Sequence, residues 1–119
     1  MARILVVDDD NVSRLVLAHS FRATNHEVTE ADSLGSALAA CRHDRFDVVL
    51  TDYLMPDGSG LDLLAALGDA DGRPKVVLVT GTSTRADLRD ARVDGVDAYI
   101  TKPFRRRELL ACVEELLVR

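Results

Sequence analysis

The stretch ILVVDD, residues 4–9, decides the fold, because four consecutive apolar residues run directly into two acids. An uninterrupted apolar run of this length is typical of a strand buried on both faces, as the central strands of a parallel sheet are. Two more runs share this character: residues 46–51 (FDVVLT), followed by Asp52, and residues 76–80 (VVLVT). The sequence therefore predicts a parallel sheet with helices covering both faces.

Two weaker runs complete the pattern. Residues 27–30 (EVTE) alternate polar and apolar side chains, which indicates an edge strand, and residues 98–100 (AYI) supply a fifth strand. Helix-like segments separate the five runs, so we predict a βα repeat with right-handed crossovers. The first helix begins after Asp10 or Asn11, either of which can cap it, and Asn25 is a candidate left-handed stop.

The other helices also have readable boundaries. The second follows Asp32-Ser33, the third runs from about Gly60 to Gly68, the fourth spans residues 83–92, and the last ends the chain. The fourth has a weak apolar face, which is typical of an element that moves. The apolar residues that we expect these five helices to bury are Leu17 and Phe21; Leu34, Leu38 and Cys41; Leu61, Leu64 and Leu67; Ala86, Leu88, Ala91 and Val93; and Leu109, Val113, Leu116 and Leu117.

Composition narrows the class of protein. The 119 residues fit one domain, residues 1–119, and a hydrophobic fraction of 47% with 29% charged residues is typical of soluble globular proteins. The net charge of −5 argues against direct binding to nucleic acid or to an anionic membrane. We interpret the only basic run, Arg105 to Arg107, as a solvated helix end.

No apolar run approaches the roughly 18 residues of a membrane span. Cys41 and Cys112 stand alone, so we expect reduced thiols and a cytoplasmic protein.

Acids follow two of the buried strands directly. Asp8 and Asp9 follow the first strand, and Asp52 closes the third. If the strand order is 2-1-3-4-5, these two strands are neighbours and the three carboxylates meet in one crevice, where open α/β sheets bind ligands. Clustered carboxylates repel one another unless a cation is present, and a few carboxylates with room for water suit Mg²⁺. The sequence therefore predicts a magnesium site.

The ends of the other two strands carry complementary groups. Thr80 ends the fourth strand with a hydroxyl, and Lys102 follows the fifth with an ammonium group. Hydroxyl, ammonium and Mg²⁺ together suit the oxygens of a transferring phosphoryl group, and a neighbouring carboxylate can act as its acceptor. Each residue alone has a simpler explanation, as a helix cap, a turn residue or a surface charge. Four such residues at four strand ends favour the joint site.

The motifs VVDD (6–9), TDYLMP (51–56) continuing to Gly60, VTG (79–81) and YITKPF (99–104) occur in this order along the chain. The set resembles the receiver domain of bacterial two-component response regulators of the chemotaxis-regulator type, over essentially the whole length. The resemblance implies a three-layer α/β/α, flavodoxin-like (βα)5 fold with a five-stranded parallel sheet of order 2-1-3-4-5.

The resemblance also implies roles for single residues. Asp52 would be the phosphoacceptor, phosphorylated by a histidine kinase or a histidine phosphotransfer protein. Asp9, Asp52 and the backbone carbonyl of Leu54 would bind Mg²⁺, with Asp8 acting through a metal-bound water. The remaining implied roles are contact with the phosphoryl group for Thr80 and Lys102, an aromatic switch for Tyr99, control of the acyl-phosphate lifetime for Leu54 and Thr82, and a cis peptide bond for Lys102–Pro103.

The implied output is protein binding. Phosphorylation would switch the face formed by the fourth helix, the fifth strand and the last helix, which a downstream effector protein would read. Such a domain is not an enzyme, although it promotes its own phosphorylation and dephosphorylation. The oligomeric state is open, and so is whether the chain stands alone or belongs to a longer regulator or hybrid kinase. Met1 favours a true N-terminus.

Two alternatives stay open on the sequence. Residues 8–12 (DDDNV) also match D-x-D-x-[TV], which resembles the opening motif of haloacid-dehalogenase-type phosphatases. Asp8 would then be the nucleophile and Asp10 the general acid, but this leaves Asp52 and Lys102 unexplained. The other alternative is a receiver-like docking module that is never phosphorylated, and the intact set of acids, hydroxyl and lysine gives it no support.

Overall fold

The computed structural model describes residues 2–68, 72–81 and 95–118. The strands are β1 (Arg3–Val7), β2 (Glu27–Ala31), β3 (Val48–Asp52), β4 (Leu54–Met55), β5 (Gly58–Ser59), β6 (Lys75–Gly81) and β7 (Ala98–Lys102). The helices are α1 (Asn11–Arg22), α2 (Leu34–His43), α3 (Gly60–Leu67) and a C-terminal helix (Arg106–Leu117). The helix predicted over residues 83–92, with Ala86, Leu88 and Ala91, lies outside the described residues, as do Thr82 and Val93.

One five-stranded sheet organises the chain, with strand order β2-β1-β3-β6-β7 and every neighbouring pair parallel. Because β4 and β5 pair only with each other, this is the predicted 2-1-3-4-5 order of the main strands, and the prediction is confirmed. β2 lies at an edge, as its alternating sequence indicated. In β1, the residues from Ile4 to Val7 have 0% exposure, so the apolar run that decided the fold is buried on both faces of the sheet.

Two apolar clusters separate the sheet from its helices, which confirms the three-layer architecture. One lies between the sheet and the pair formed by α1 and the C-terminal helix, and the other lies under α2 and α3. Alternate residues of β1 point to opposite clusters, as the period of a strand requires: Ile4 and Val6 to the first, Leu5 and Val7 to the second. Among the described residues, none of the helices has the length and apolar character needed to cross a bilayer.

The helix signals at the start of the chain are confirmed. Asp10 is the N-cap of α1, and its carboxylate accepts a hydrogen bond from the backbone N–H of Ser13. Leu17 and Phe21 of α1 are buried, as their i, i+4 spacing predicted. Asn25 has a left-handed φ of 70°, although α1 itself ends three residues earlier, so the left-handed residue belongs to the turn into β2.

The buried face of α3 differs from the prediction. We expected Leu61, Leu64 and Leu67 to face the core, but these residues are only partly buried, and Leu63 has 0% exposure. The cause is Gly60, whose missing side chain lets the first turn of α3 approach the backbone at the end of β3. This approach fixes the rotation of the helix, and the inward residue is therefore the one three positions after Gly60.

A small hairpin that the sequence did not predict follows Asp52. β4 pairs antiparallel with β5, and the carboxylate of Asp57 in the turn between them lies against the start of α2. Its Oδ1 accepts from the backbone N–H of Leu34 at 2.9 Å, and its Oδ2 accepts from that of Gly35 at 3.0 Å. Gly58 has a φ of 154°, and a Cβ there would collide with Leu34. The hairpin is thereby joined to α2.

The Gly60→Ala variant tests the close approach of α3. An added Cβ would lie 2.8 Å from both the backbone oxygen of Asp52 and Cδ2 of Leu78. Overpacking of this kind costs about 1–3 kcal/mol, so we expect a lower urea midpoint of unfolding. Gly81→Ala is the matched control, because no described heavy atom lies within 4 Å of a Cβ there. Equal midpoints for the two variants would contradict this packing role.

The Asp57→Asn variant tests the hairpin contact through pH. The backbone N–H groups of Leu34 and Gly35 hold the pKa of Asp57 below its ordinary value of 3.8. A lowered pKa in the folded state stabilises the fold above the pKa of the unfolded chain, and this stabilisation is lost as the pH falls through the folded value. We therefore expect Asp57→Asn to be less stable than the wild type at pH 7, with the difference closing below about pH 4. Urea unfolding at several pH values measures this, and a difference independent of pH would show that the carboxylate charge is not involved.

Candidate functional site

Four strands end at the same edge of the sheet, and each delivers a polar side chain there. Asp8 follows β1, Asp52 ends β3, Thr80 is the penultimate residue of β6, and Lys102 ends β7. The parallel register sets Gly81 beside Lys102, so the ends of β6 and β7 are level. The carboxyl ends of parallel strands are where open α/β sheets form their ligand crevices.

The three predicted carboxylates meet in this crevice. One oxygen from each of Asp8, Asp9 and Asp52 lies within 4.8 Å of the others. Asp8 is buried with 1% exposure, Asp9 is exposed, and the Asp52 side chain is 20% exposed. Adjacency of β1 and β3 produces the cluster, because both strands end at the same level.

Lys102 bridges the two less exposed acids. Its Nζ lies 3.4 Å from Oδ2 of Asp8 and 3.5 Å from Oδ2 of Asp52. The second oxygen of each acid accepts a backbone hydrogen bond, from the N–H of Asp10 at 2.9 Å to Asp8 and from the N–H of Tyr53 at 3.0 Å to Asp52. Both carboxylates are therefore oriented from two sides.

Burial raises the pKa of the Asp52 carboxyl above its ordinary value, and the neighbouring carboxylate of Asp8 raises it further. Lys102 and the backbone N–H of Tyr53 act in the opposite direction without cancelling the effect. The crevice therefore holds more negative charge than one lysine neutralises. A divalent cation beside these oxygens would stabilise the ionised form of Asp52.

Thr80 contributes an unpaired hydroxyl. The residue is buried with 1% exposure, and its Oγ1 has no hydrogen-bond partner among the described residues. Buried hydroxyl groups in proteins are nearly always paired, so an exception at a ligand crevice points to a ligand atom as the partner. Lys102, on the neighbouring strand, offers a charged donor at the same edge.

The donor set fits a hard divalent cation. Carboxylate oxygens from neighbouring strands, one of them on an exposed residue, match the ligands that Mg²⁺ accepts while it keeps several waters.

Leu54, whose carbonyl was predicted to join them, lies two residues after Asp52 at the start of β4, with its side chain 64% exposed. Tyr99, the predicted switch residue, is partly buried on β7 and lies beside Leu78 of β6. The Lys102–Pro103 peptide bond is cis, as expected.

The sequence did not single out Arg14, whose side chain contacts the loop that carries Asp8 and Asp9. Its guanidinium donates to the backbone carbonyl of Asp8 at 3.0 Å and forms an ion pair with Glu30 of β2 at 3.2 Å. The one available signal was its position four residues after the N-cap Asp10, because that spacing puts both residues on one side of α1. Its partner on β2 is not readable from local sequence.

Comparison with known proteins agrees with this geometry. The sequence model of the response regulator receiver domain matches residues 4–114. The chain is 36% identical to the probable transcriptional regulatory protein TcrX of Mycobacterium tuberculosis over 98% of its length, but it spans only 50% of that protein. It is 35% identical to the chemotaxis protein CheY of Pseudomonas aeruginosa, with 98% of this chain and 97% of CheY covered.

A solved structure agrees over the full length. The response regulator protein TrrA from Thermotoga maritima, in complex with Mg²⁺ and BeF, superimposes with a TM-score of 0.85 at 31% identity, covering 98% of this chain and 100% of TrrA. The family match covers nearly all of the residues that form the sheet and its crevice. The chain therefore belongs to the receiver domain family of two-component response regulators.

Proposed function

We propose that residues 1–119 are a single receiver domain in which Asp52 accepts a phosphoryl group from a phosphohistidine on a sensor kinase or phosphotransfer protein. The observation that carries this proposal is the Lys102 ammonium group, which lies 3.4 Å from Asp8 and 3.5 Å from Asp52. A cation between two carboxylates, with a third carboxylate beside them and a hydroxyl that has no partner among the described residues, supports a site for Mg²⁺ and a phosphoryl group.

The transfer needs a nucleophile and charge neutralisation. A carboxylate oxygen of Asp52 attacks the phosphorus, an O–P bond forms, and the P–N bond of the donor breaks with its electron pair left on the histidine nitrogen. Asp9, Asp52 and the Leu54 carbonyl would hold Mg²⁺ directly, with Asp8 acting through water. Bound Mg²⁺ would supply stabilisation of the negative charge on the transferring group.

Two residues of the chain would contact the acyl phosphate once it has formed. Phosphorylation turns the Asp52 carboxylate into an acyl phosphate, which removes one partner of Lys102 and provides new acceptor oxygens. Lys102 then pairs with the phosphoryl group, and the Thr80 hydroxyl donates to another of its oxygens. Because these residues lie on neighbouring strands with Tyr99, a local change of charge can bias the packing of β6 against β7.

A donor protein must reach Asp52, and α1 presents a suitable surface. Val12, Leu15 and Val16 are 69%, 55% and 52% exposed and form one stripe at i, i+3 and i+4. The stripe begins two residues after Asp10, the last of the acidic residues 8–10, and exposed apolar patches of this kind mark protein contacts. We propose that the phosphodonor docks here. The downstream effector would read β7, the C-terminal helix and the helix predicted over residues 83–92.

The geometry of Asp10 disfavours the phosphatase alternative. A general acid at that position needs a raised pKa, but Asp10 caps α1, and the backbone N–H of Ser13 holds its pKa below the ordinary value. The carboxylate therefore stays ionised and engaged in the cap.

Labelling with acetyl phosphate and Mg²⁺, followed by mass mapping, tests the acceptor. We expect one phosphoryl group on Asp52 in the wild type and none in Asp52→Asn, because the amide is not a nucleophile for phosphorus. Asp8→Asn is the matched control: labelling should weaken and still map to Asp52. Labelling that survives in Asp52→Asn and disappears in Asp8→Asn would overturn the proposal in favour of the phosphatase-like chemistry. Absence of any label on the folded wild type would favour the unphosphorylated docking module.

The Leu54→Asn variant tests control of the acyl-phosphate lifetime. The apolar Leu54 side chain is exposed two residues after Asp52 and cannot orient an attacking water. We expect an asparagine amide there to hold such a water and to shorten the half-life of the acyl phosphate several-fold. Val118→Asn, at an exposed apolar residue that follows the C-terminal helix, should leave the half-life unchanged. Decay at the wild-type rate in Leu54→Asn would mean that this side chain has no part in hydrolysis.

A further inference from the structure

Arg14 makes polar contacts with the acidic loop and with the two elements beside it. Its NH1 donates to the backbone carbonyl of Asp8 at 3.0 Å, its NH2 donates to Oδ1 of Asn11 at 2.7 Å, and its Nε pairs with Oε1 of Glu30 at 3.2 Å. The side chain is only 15% exposed. One guanidinium group therefore ties the β1–α1 loop to the first turn of α1 and to β2.

We propose that Arg14 is a positioning residue that sets the Mg²⁺ affinity of the acidic site, an inference that rests on the proposed function. The carbonyl of Asp8 belongs to the peptide unit that joins Asp8 to Asp9. Fixing this carbonyl fixes the peptide plane from which the Asp9 side chain starts. Asp9 would be a direct metal ligand, and Arg14 acts on it through the backbone.

Asp9 depends on this backbone restraint because little else holds it. Among the described residues, Asp9 is exposed and makes no hydrogen bond or ion pair of its own. Asp8 has its own restraints, since its N–H donates to the carbonyl of Ala31 at 3.1 Å and its Oδ2 lies beside Lys102. Asp8 is thus held at its N–H by β2, and the Asp8–Asp9 peptide is held at its carbonyl by Arg14. Groups that orient metal ligands are worth about 10–100-fold in metal affinity.

The charge of Arg14 and its positioning contacts predict opposite changes in Mg²⁺ affinity when the side chain is removed. A positive group near a cation site repels Mg²⁺, so if charge alone mattered, removal of Arg14 would tighten binding. Glu30 offsets this charge only in part, because its single carboxylate pairs with both Arg14 at 3.2 Å and Arg22 at 3.1 Å. The sign of the change in Mg²⁺ affinity therefore separates positioning from electrostatics.

The geometry also requires arginine in particular. Three acceptors on three elements are met by three different nitrogens of one planar group. A lysine at this position carries the same charge but reaches with a single ammonium group, which cannot span all three acceptors. We therefore expect Arg14→Lys to behave like Arg14→Ala and not like the wild type.

Calorimetric titration with Mg²⁺ alone tests the proposal. We expect the Mg²⁺ Kd to rise about tenfold in Arg14→Ala and in Arg14→Lys, the lower end of the range for a group that orients a metal ligand. Arg22→Ala is the matched control, because Arg22 pairs with the same Glu30 but makes its backbone bond to Val28, away from the acids. Its Kd should equal that of the wild type. An unchanged or lower Kd in Arg14→Ala overturns the inference, as does a rise of the same size in Arg22→Ala.

Two further measurements keep the outcome unambiguous. Urea unfolding without Mg²⁺ reports a purely structural role, which would lower the midpoint and leave the Kd unchanged, against the proposal. If Arg14→Ala does not fold, Asn11→Ala removes only the 2.7 Å contact of the guanidinium and should still raise the Kd, and an unchanged Kd contradicts the inference. A wild type that fails to bind Mg²⁺ refutes the metal site of the proposed function instead.

Discussion

Two carboxylates on neighbouring strands share one ammonium group, and the rest of the crevice depends on that arrangement. Lys102 lies between Asp8 and Asp52, with its Nζ 3.4 Å and 3.5 Å from a carboxylate oxygen of each, on a strand that β6 separates from β3. One positive charge cannot neutralise three clustered acids, and burial adds to the cost of keeping Asp52 ionised. Lys102 alone therefore leaves a net negative charge in the crevice. This charge favours the binding of a second cation, and it favours a group that replaces one carboxylate as the partner of Lys102.

The parallel sheet brings these polar side chains together while the apolar residues before them stay in the core. Each strand ends at the same edge, so residues at or just after the ends of β1, β3, β6 and β7 reach the crevice while their predecessors stay in the core. Gly60 lets α3 close over the end of β3, and Asp57 joins the hairpin after Asp52 to the start of α2. The segment that follows Asp52 is consequently anchored at both ends, and Asp52 itself is positioned by elements that are far apart in sequence.

Most of the fold and the membership of the site could be predicted from the sequence, because both follow from periodicity and from residues adjacent to strand ends. The apolar run of β1 and the acids after it are local signals. The prediction of the inward face of α3 was wrong. Leu61, Leu64 and Leu67 have helical spacing, but the close approach of Gly60 to β3 sets the rotation of the helix and buries Leu63 instead. The contacts of Arg14 with Glu30 and of Asp57 with α2 join distant segments, and no local pattern encodes such pairs.

The buried hydroxyl of Thr80 has an energetic consequence for any change of conformation at the crevice. Among the residues that the structure describes, none accepts from the Thr80 hydroxyl, and a buried donor without a partner raises the free energy of its conformation by about 1–3 kcal/mol. Any conformation in which Thr80 finds an acceptor is favoured by that amount, a factor of roughly 5 to 150 in population. A complete reversal of a two-state equilibrium from 1:99 to 99:1 takes about 5.5 kcal/mol. Under the proposed function, an acceptor for this one hydroxyl would therefore supply part of the bias that the switch requires.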